Sequence, residues 1–186
     1  MSAQLNEAIV DRVDQLGFTA WSGVAFRNTT VGRDPLSGAG ARANGGRWNP
    51  RDEFPVIYLA IPEASCIGEL DRASEAAGIS PKDRIAVGLE LHTIELHDIQ
   101  VLDLRSTEAL AHVGLTSDDI SDPDWTACQT VGHAAWFLHA GGILAPSATG
   151  IGNVLAAFEL RVQPGTIQHR ETIPLTEELY DATRRP

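Results

Sequence analysis

Three side chains of different chemistry lie on three consecutive segments in the first half of the chain. Arg47 follows two glycines, whose backbone can approach a ligand closely, and its guanidinium can then hold a phosphate. Tyr58 lies in the apolar run Val56–Ile61, and Glu69 lies in the segment after it. Each alone has a more ordinary interpretation, as a surface arginine, a half-buried strand tyrosine or a helix-surface charge. Only their combination around one loop, one strand and one helix points to a site.

The predicted strand and helix around these residues decide which way the side chains point. Alternation along 56–61 puts the aliphatic residues on one face, so Tyr58 points to the other. A helix is predicted over 62–77, because a proline stands at its start and a glycine just past its end. With about 100° of rotation per residue, Glu69 lies at the margin of the apolar stripe that this helix would bury. Arg72 lies further around the helix circumference, toward solvent. A carboxylate at that margin is placed to line a cleft.

Charge is distributed unevenly along this acidic chain. Its 186 residues carry 25 acidic and 14 basic side chains, and the net charge of −11 disfavours a surface that tracks nucleic-acid phosphates. Between Arg27 and Arg51, however, five arginines accompany one acid, Asp34, which gives a local balance of +4. The same region includes the glycine-rich stretch 32–46, and a loop of that length is usually functional. These arginines suit phosphates or carboxylates, unless the stretch is only a solvated loop.

Several other kinds of site find no support in the sequence. Cys66 and Cys128 are far apart and form no CxxC pair, so neither a disulfide framework nor a zinc site is predicted. The histidines lack metal-ligand spacing, and we expect no metal. No apolar run reaches the roughly 18–20 residues that a membrane span needs. The polar N-terminal residues resemble neither a secretion signal nor a transit peptide, so we expect a cytoplasmic protein.

The remaining periodicities predict a mixed α+β single domain without internal repeats. Further helices are predicted over 4–16, 106–113, 124–140 and about 176–184. Further strands are predicted over 20–27, 84–96, 100–104, 153–162 and 166–173.

Short motifs around the three candidate residues resemble those of RES-domain toxins, a family named for an arginine, a glutamate and a serine. The resemblance extends from about Trp21 to Glu159 and is strongest to the mycobacterial NAD⁺ phosphorylases of that family. The stretches that carry it are Arg27, Arg47-Trp48-Asn49, Tyr58-Leu59-Ala60, Glu69, His92-Thr93-Ile94, Asp124-Trp125, 131–139, Pro146-Ser147 and Asn153.

The resemblance implies a fold, an activity and a partner. The fold would be related to ADP-ribosyltransferases, with central mixed or antiparallel β-sheets flanked by helices and a core of about 21–162 within a single domain over 1–186. The activity would be that of a toxin that degrades NAD⁺, with inorganic phosphate as co-substrate and no bound cofactor. A helix-turn-helix antitoxin would cover the NAD⁺ cleft, and the pair would be able to form a larger complex.

The resemblance also implies roles for individual residues. Arg27 and Arg47 would bind phosphate groups, Tyr58 would contact the nicotinamide ribose or ring, and Glu69 would serve the scissile glycosidic bond. The implied catalytic set is therefore Glu69, Arg47 and Tyr58. Further substrate contacts are expected from Trp48, Asn49, Thr126, Ser147 and Asn153. The chain departs from the family pattern at Asn28, where an aromatic residue is expected, and at Thr126, where a serine is expected.

The implied chemistry agrees with the residue types. NAD⁺ carries a cationic leaving group, nicotinamide, and its departure develops an oxocarbenium ion that a carboxylate such as Glu69 can stabilise. The guanidinium groups of arginines beside a glycine-rich backbone can hold the pyrophosphate.

Alternatives from other functional classes remain open from the sequence. The same cleft would serve transfer of ADP-ribose to a protein or a nucleic acid, and the arginines would equally suit a non-enzymatic module that binds an acidic partner. An RNA-cleaving toxin is disfavoured by the net charge of −11.

Overall fold

Five strands of the molecule close into a barrel, and a sixth extends it at one edge. The computed structural model describes residues 5–184, and all element bounds below refer to them. The strands are β1 (Thr19–Thr30), β2 (Val56–Ile61), β3 (Leu89–Asp103), β4 (Gly142–Pro146), β5 (Asn153–Phe158) and β6 (Ile167–Pro174). Their order is β1-β2-β5-β4-β3-β6, and β3 also pairs with β1, which closes the barrel. Only the β3–β4 pairing is parallel among these strands, so the sheet is mixed.

Helices flank this sheet. They are α1 (Glu7–Leu16), α2 (Ala39–Asn44), α3 (Glu63–Ala77), α4 (Pro81–Ala86), α5 (Thr107–His112), α6 (Ser117–Ser121), α7 (Thr126–Phe137) and α8 (Glu177–Thr183). The predicted α+β class, with one domain of sheet and flanking helices, is therefore confirmed. None of the helices within residues 5–184 has the length and apolar character that a membrane crossing requires.

The apolar core has three parts, and the barrel interior is one of them. All five barrel strands contribute to it, with Ala25, Ile57, Leu59, Ile94, Leu96, Ile99, Val101, Leu144, Leu155 and Ala157. A second part, which includes Val13, Cys128, Val131 and Phe158, packs α1 and α7 against the outside of the barrel. A third part, which includes Ile67, Leu70 and Tyr180, lies under α3 and α8. Each fully buried aliphatic side chain of this kind contributes about 1.5–3 kcal/mol.

The barrel wall is weakest between β1 and β2. β1 pairs with β3 along its length from Thr19 to Thr30. Its only paired position with β2 is Phe26 opposite Ala60. The two strands diverge on either side of that point, so side chains from both faces of each strand can reach the gap.

The helix α3 begins and ends where the sequence predicts. Pro62 is its N-cap, and Gly78 ends it in the left-handed conformation (φ 66°), with its N–H bonded to the carbonyls of Glu75 and Ser74. Only glycine adopts that conformation without strain, which explains the stop.

Other predicted boundaries were wrong. The predicted strand 84–96 begins as α4, because Ser80 caps a helix that has a proline at its first position. The predicted strands 84–96 and 100–104 are then one strand, β3. The glycine-rich stretch 32–46 contains the short helix α2, and α7 is shorter than the predicted helix 124–140. The elements β4 and α6 were not predicted, and residue 4 of the predicted helix 4–16 lies outside the described residues.

Candidate active site

A cavity of about 360 Å³ opens at the gap between β1 and β2. This volume lies within the range of small-molecule sites. β1, β2 and α3 each contribute three lining residues, and the loop that carries Arg47 contributes four. The lining residues are Phe26, Arg27, Asn28, Ala41, Gly45, Gly46, Arg47, Trp48, Tyr58, Leu59, Ala60, Cys66, Glu69, Arg72, Trp125, Ala148 and Val154.

Arg47 is anchored at one end of its guanidinium group. The residue is only 8% exposed, and Nη1 donates to the carbonyl oxygens of Asp119 (2.9 Å) and Asp122 (3.0 Å). The guanidinium lies 5.9 Å from the ring centroid of Trp125, on its face. Nη2 is buried and has no hydrogen-bond partner in the described part of the chain. A buried cationic donor without a partner is costly, so an anionic oxygen that reached Nη2 would be bound strongly.

The loop that carries Arg47 is fastened to β2 by Tyr58. The Tyr58 hydroxyl accepts the backbone N–H of Trp48 (2.9 Å) and donates to Asn49 Oδ1 (2.8 Å). A Cβ at Gly46 would lie 2.5 Å from that hydroxyl oxygen, so this close approach requires glycine. Burial raises the pKa of Tyr58 above its ordinary value, which keeps the phenol neutral.

Arg27 lines the same cavity from the strand β1. Its Nη1 donates to the carbonyl oxygens of Pro35 (2.7 Å) and Ser37 (3.1 Å), which ties the start of the glycine-rich stretch to β1. Burial lowers the pKa of Arg27, and the nearby carboxylates of Asp34 and Glu159 partly offset this.

Glu69 contacts a serine rather than an arginine. The Ser147 hydroxyl donates to Glu69 Oε1 across 2.6 Å, and Ser147 is buried. Arg72 lies one helical turn along α3 and also lines the cavity, but it forms no hydrogen bond or ion pair with any residue in 5–184. The cavity thus contains one carboxylate, two arginines engaged by carbonyls and one arginine without a partner.

The structure brings together five of the nine predicted site residues. Arg27, Arg47, Trp48, Tyr58 and Glu69 line the cavity, although Trp48 is fully buried and belongs to the core.

The other four predicted residues do not line the cavity. Asn49 is fully buried and its Nδ2 donates to the Ala41 carbonyl (2.8 Å). Thr126 is exposed and its hydroxyl donates to Asp124. Ser147 reaches the site through Glu69, and Asn153 begins β5.

Among the lining residues that were not predicted to belong to the site, three have side chains that matter to its chemistry: Arg72, Trp125 and Cys66. Arg72 was assigned to solvent, although its spacing of three from Glu69 on one helix offered a signal. Trp125 had no sequence signal that links it to Arg47. Cys66 accepts from Asn28 Nδ2 at 3.3 Å, and burial raises the pKa of its thiol to about 11. No group of three His, Cys, Asp or Glu side chains in the described residues is arranged to hold a metal ion.

Comparisons with known proteins identify the family of this chain. The model of the RES domain family matches residues 21–176. The NAD(+) phosphorylases MbcT of Mycobacterium tuberculosis and of Mycobacterium bovis are each 47% identical to this chain over 184 residues, which is 99% of both chains. The crystal structure of the M. tuberculosis MbcT–MbcA toxin–antitoxin complex contains a chain that matches with a TM-score of 0.92 and 46% identity, over 97% of this chain and 99% of that one. The chain therefore belongs to the RES domain family.

Proposed function

We propose that this chain is the toxin of a toxin–antitoxin pair and that it degrades NAD⁺ by phosphorolysis of the nicotinamide–ribose bond. The observation that carries the proposal is that a carboxylate and three arginines line one cavity, in a chain 47% identical to an NAD(+) phosphorylase over nearly its whole length. We further propose that the barrel and its helices are related to the ADP-ribosyltransferase fold, because that fold binds NAD⁺ in a comparable cleft.

The arginines supply the cations that a dinucleotide pyrophosphate needs. Arg47 has a buried donor without a partner in the described part of the chain, and Arg27 lines the same cavity from β1. Because both guanidiniums are fixed by backbone carbonyls, they do not lose side-chain entropy when a phosphate binds. We assign them to the two phosphate groups of NAD⁺.

Glu69 acts on the bond that breaks. The electron pair of the bond between ribose C1′ and the nicotinamide nitrogen leaves with nicotinamide, which becomes neutral, and positive charge develops on the ribose. A carboxylate beside that charge lowers the barrier, as it does in glycoside cleavage. A phosphate oxygen then bonds to C1′, which gives ADP-ribose phosphate. The nicotinamide leaves without oxidation or reduction, so we propose that no cofactor takes part.

Tyr58 and Arg72 have different tasks in this scheme. The Tyr58 hydroxyl is engaged with the loop and stays neutral, so the residue offers the ribose or nicotinamide a ring face rather than a base. Arg72 is a cation without a hydrogen-bond or ion-pair partner among residues 5–184, and it lies one helical turn from Glu69. We assign Arg72 to the incoming phosphate, which must approach close to the carboxylate.

An antitoxin partner is also part of this proposal. The M. tuberculosis MbcT chain, to which this chain is 46% identical, was solved in complex with MbcA. We propose that a helix-turn-helix antitoxin covers the cavity, where the lining residue Trp125 leaves apolar surface exposed. A toxin controlled in this way would act in the cytoplasm.

The test measures nicotinamide release from NAD⁺ by the purified protein, with and without inorganic phosphate. We expect phosphate-dependent release, and we expect Glu69→Gln to lower it at least a hundredfold, because it removes the charge and keeps the shape. Glu75→Gln, an exposed carboxylate on the same helix, is the matched control. No release in either condition would end the enzymatic proposal, and release without phosphate would indicate hydrolysis. Label from NAD⁺ that becomes fixed to a macromolecule would instead indicate ADP-ribosyl transfer.

A further inference from the structure

A chain of hydroxyl groups ends on Glu69. Ser147 and Thr149 lie in the loop between β4 and β5, and their side-chain oxygens are 2.8 Å apart. Ser147 Oγ lies 2.6 Å from Glu69 Oε1, and Thr149 Oγ1 accepts the backbone N–H of Ile151 at 3.2 Å. The backbone N–H of Thr149 also donates to Ser147 Oγ, at 3.2 Å.

Hydrogen-bond inventory fixes the direction of this chain. A serine hydroxyl has one proton, and Ser147 gives it to the carboxylate, which accepts only. The Thr149 hydroxyl must therefore donate to Ser147, while its own oxygen accepts from Ile151. Each bond then polarises the next toward the carboxylate, and such a chain is stronger than its isolated members.

The loop is held against α3 at the point where the chain needs it. A Cβ at Gly68 would lie 3.3 Å from Thr149 Oγ1 and 3.4 Å from the Ile151 side chain, so glycine at this position lets the loop lie directly on the helix. The Ser147 N–H is bonded to the Gly152 carbonyl (3.0 Å), which closes the loop on itself. A Cβ at Gly152, whose φ is 64°, would overlap the Ile61 carbonyl, so this turn also fits only glycine. The loop is therefore built as a rigid support beside Glu69.

We propose that Thr149 and Ser147 are positioning residues that fix the rotamer of Glu69 through the Thr149→Ser147→Glu69 hydrogen-bond chain. Oε1 is then occupied, and Oε2, which has no hydrogen-bond partner within residues 5–184, is presented to the ribose. This inference rests on the proposed function, because it assigns the carboxylate oxygen that faces the substrate. A glutamate without this support would rotate about its side-chain bonds, and a small displacement of a reacting group lowers the rate strongly.

A double-mutant cycle tests the proposal with nicotinamide release as the readout. Thr149→Val keeps the shape of the side chain and removes its hydroxyl. We expect kcat to fall about tenfold while KM for NAD⁺ changes less than twofold, because the lost bond acts on Glu69 and not on the pyrophosphate. Thr149→Ser keeps the hydroxyl and should restore most of the rate. Ser147→Ala should lower kcat more than Thr149→Val does, and adding Thr149→Val to it should cost nothing further.

Thr183→Val is the matched control, because Thr183 also directs a hydroxyl to a carboxylate of α3, that of Glu63 (3.5 Å), and neither residue lines the cavity. An unchanged kcat in Thr149→Val, or additive losses in the double variant, would overturn the positioning chain and leave the proposed function standing. No nicotinamide release by the unmodified protein would overturn both. Equal losses in Thr149→Val and Thr149→Ser would show that side-chain shape, and not the hydroxyl, is what the loop requires.

Discussion

The Tyr58 hydroxyl lies 2.8 Å from Asn49 Oδ1 and joins the barrel strand β2 to the loop that carries the buried arginine. The same oxygen accepts the Trp48 N–H, and Asn49 passes the connection on to the carbonyl of Ala41 on α2. This phenol therefore attaches the loop of Arg47 to the sheet, while the carbonyls of Asp119 and Asp122 hold the guanidinium itself. A tyrosine that looks from the sequence like a substrate contact also has this structural task.

Replacement of Tyr58 by phenylalanine should therefore weaken both the fold and substrate binding. The change leaves the Trp48 N–H and Asn49 Oδ1 without their partner, and we expect the free energy of unfolding to fall by about 1–2 kcal/mol in urea titrations. KM for NAD⁺ should rise more than kcat falls, because Arg47 loses its fixed position. Tyr180→Phe removes a tyrosine hydroxyl bond to Asp71, away from the cavity, and should lower stability without a change in KM. Equal KM values for Tyr58→Phe and the unmodified protein would contradict this account.

Arg72 gives a prediction about phosphate. Because this guanidinium has no partner among the described residues, Arg72→Gln should change the free energy of unfolding by less than about 0.5 kcal/mol. If it binds the incoming phosphate, KM for phosphate should rise about tenfold while KM for NAD⁺ stays within about twofold. Arg33→Gln, in the glycine-rich stretch but outside the cavity lining, is the matched control. If only KM for NAD⁺ rose, Arg72 would bind the pyrophosphate of NAD⁺ and not the incoming phosphate.

Local signals were sufficient for the strand and helix that carry Tyr58 and Glu69. The alternation of residues along β2 correctly predicted that Tyr58 points away from the barrel interior, which Ile57 and Leu59 face. The start and end of α3 followed from a proline and a glycine, because these residues restrict the backbone within two or three positions. The position of Glu69 at the edge of the buried stripe followed from helical geometry alone.

Arg72 and Trp125 show where sequence patterns stopped being informative. A helical wheel distinguishes one buried stripe from solvent, but Arg72 faces a cavity whose other walls come mainly from β1, β2 and the loop that carries Arg47. β2 and the segment that holds Ala148 and Val154 meet because β2 pairs with β5, with Ala60 opposite Val154, and no periodicity encodes such a long-range pairing. The strand β4 was missed for a local reason, since its five residues lack the alternation that identifies a strand.

Cys66 should make stability depend on pH above 9. Burial raises the pKa of its thiol from the ordinary 9.0 to about 11, so between these values the unfolded chain loses the proton and the folded chain keeps it. The folded state then binds more protons, and its free energy of unfolding must fall as pH rises, by up to about 1.4 kcal/mol per pH unit. Urea titrations at pH 8, 9.5 and 10.5 should show a shallower fall for Cys66→Ala. The tyrosines contribute equally to both proteins, so parallel slopes would exclude this role for the thiol.

Gly132 is the point at which helix α7 contacts the loop that carries Arg47. Its substitution should therefore change both the stability of the fold and the binding of NAD⁺. A Cβ at this position would overlap the carbonyl oxygen of Trp48, so Gly132→Ala must push either the helix or the loop. Overpacking of a buried contact costs about 1–3 kcal/mol, and we expect a loss of that size in the free energy of unfolding together with a higher KM for NAD⁺.

Gly40→Ala is the matched control for this prediction. Gly40 lies in the helix α2, where an added Cβ meets no atom within 4 Å, so alanine should stabilise the protein by about 0.5–1 kcal/mol and leave KM unchanged. A Gly132→Ala variant that lost stability but kept its KM for NAD⁺ would show that the loop does not transmit the displacement to Arg47. Both substitutions add a methyl group to a helix, so a loss of stability and a higher KM for NAD⁺ in Gly132→Ala but not in Gly40→Ala would be due to the contact with Trp48.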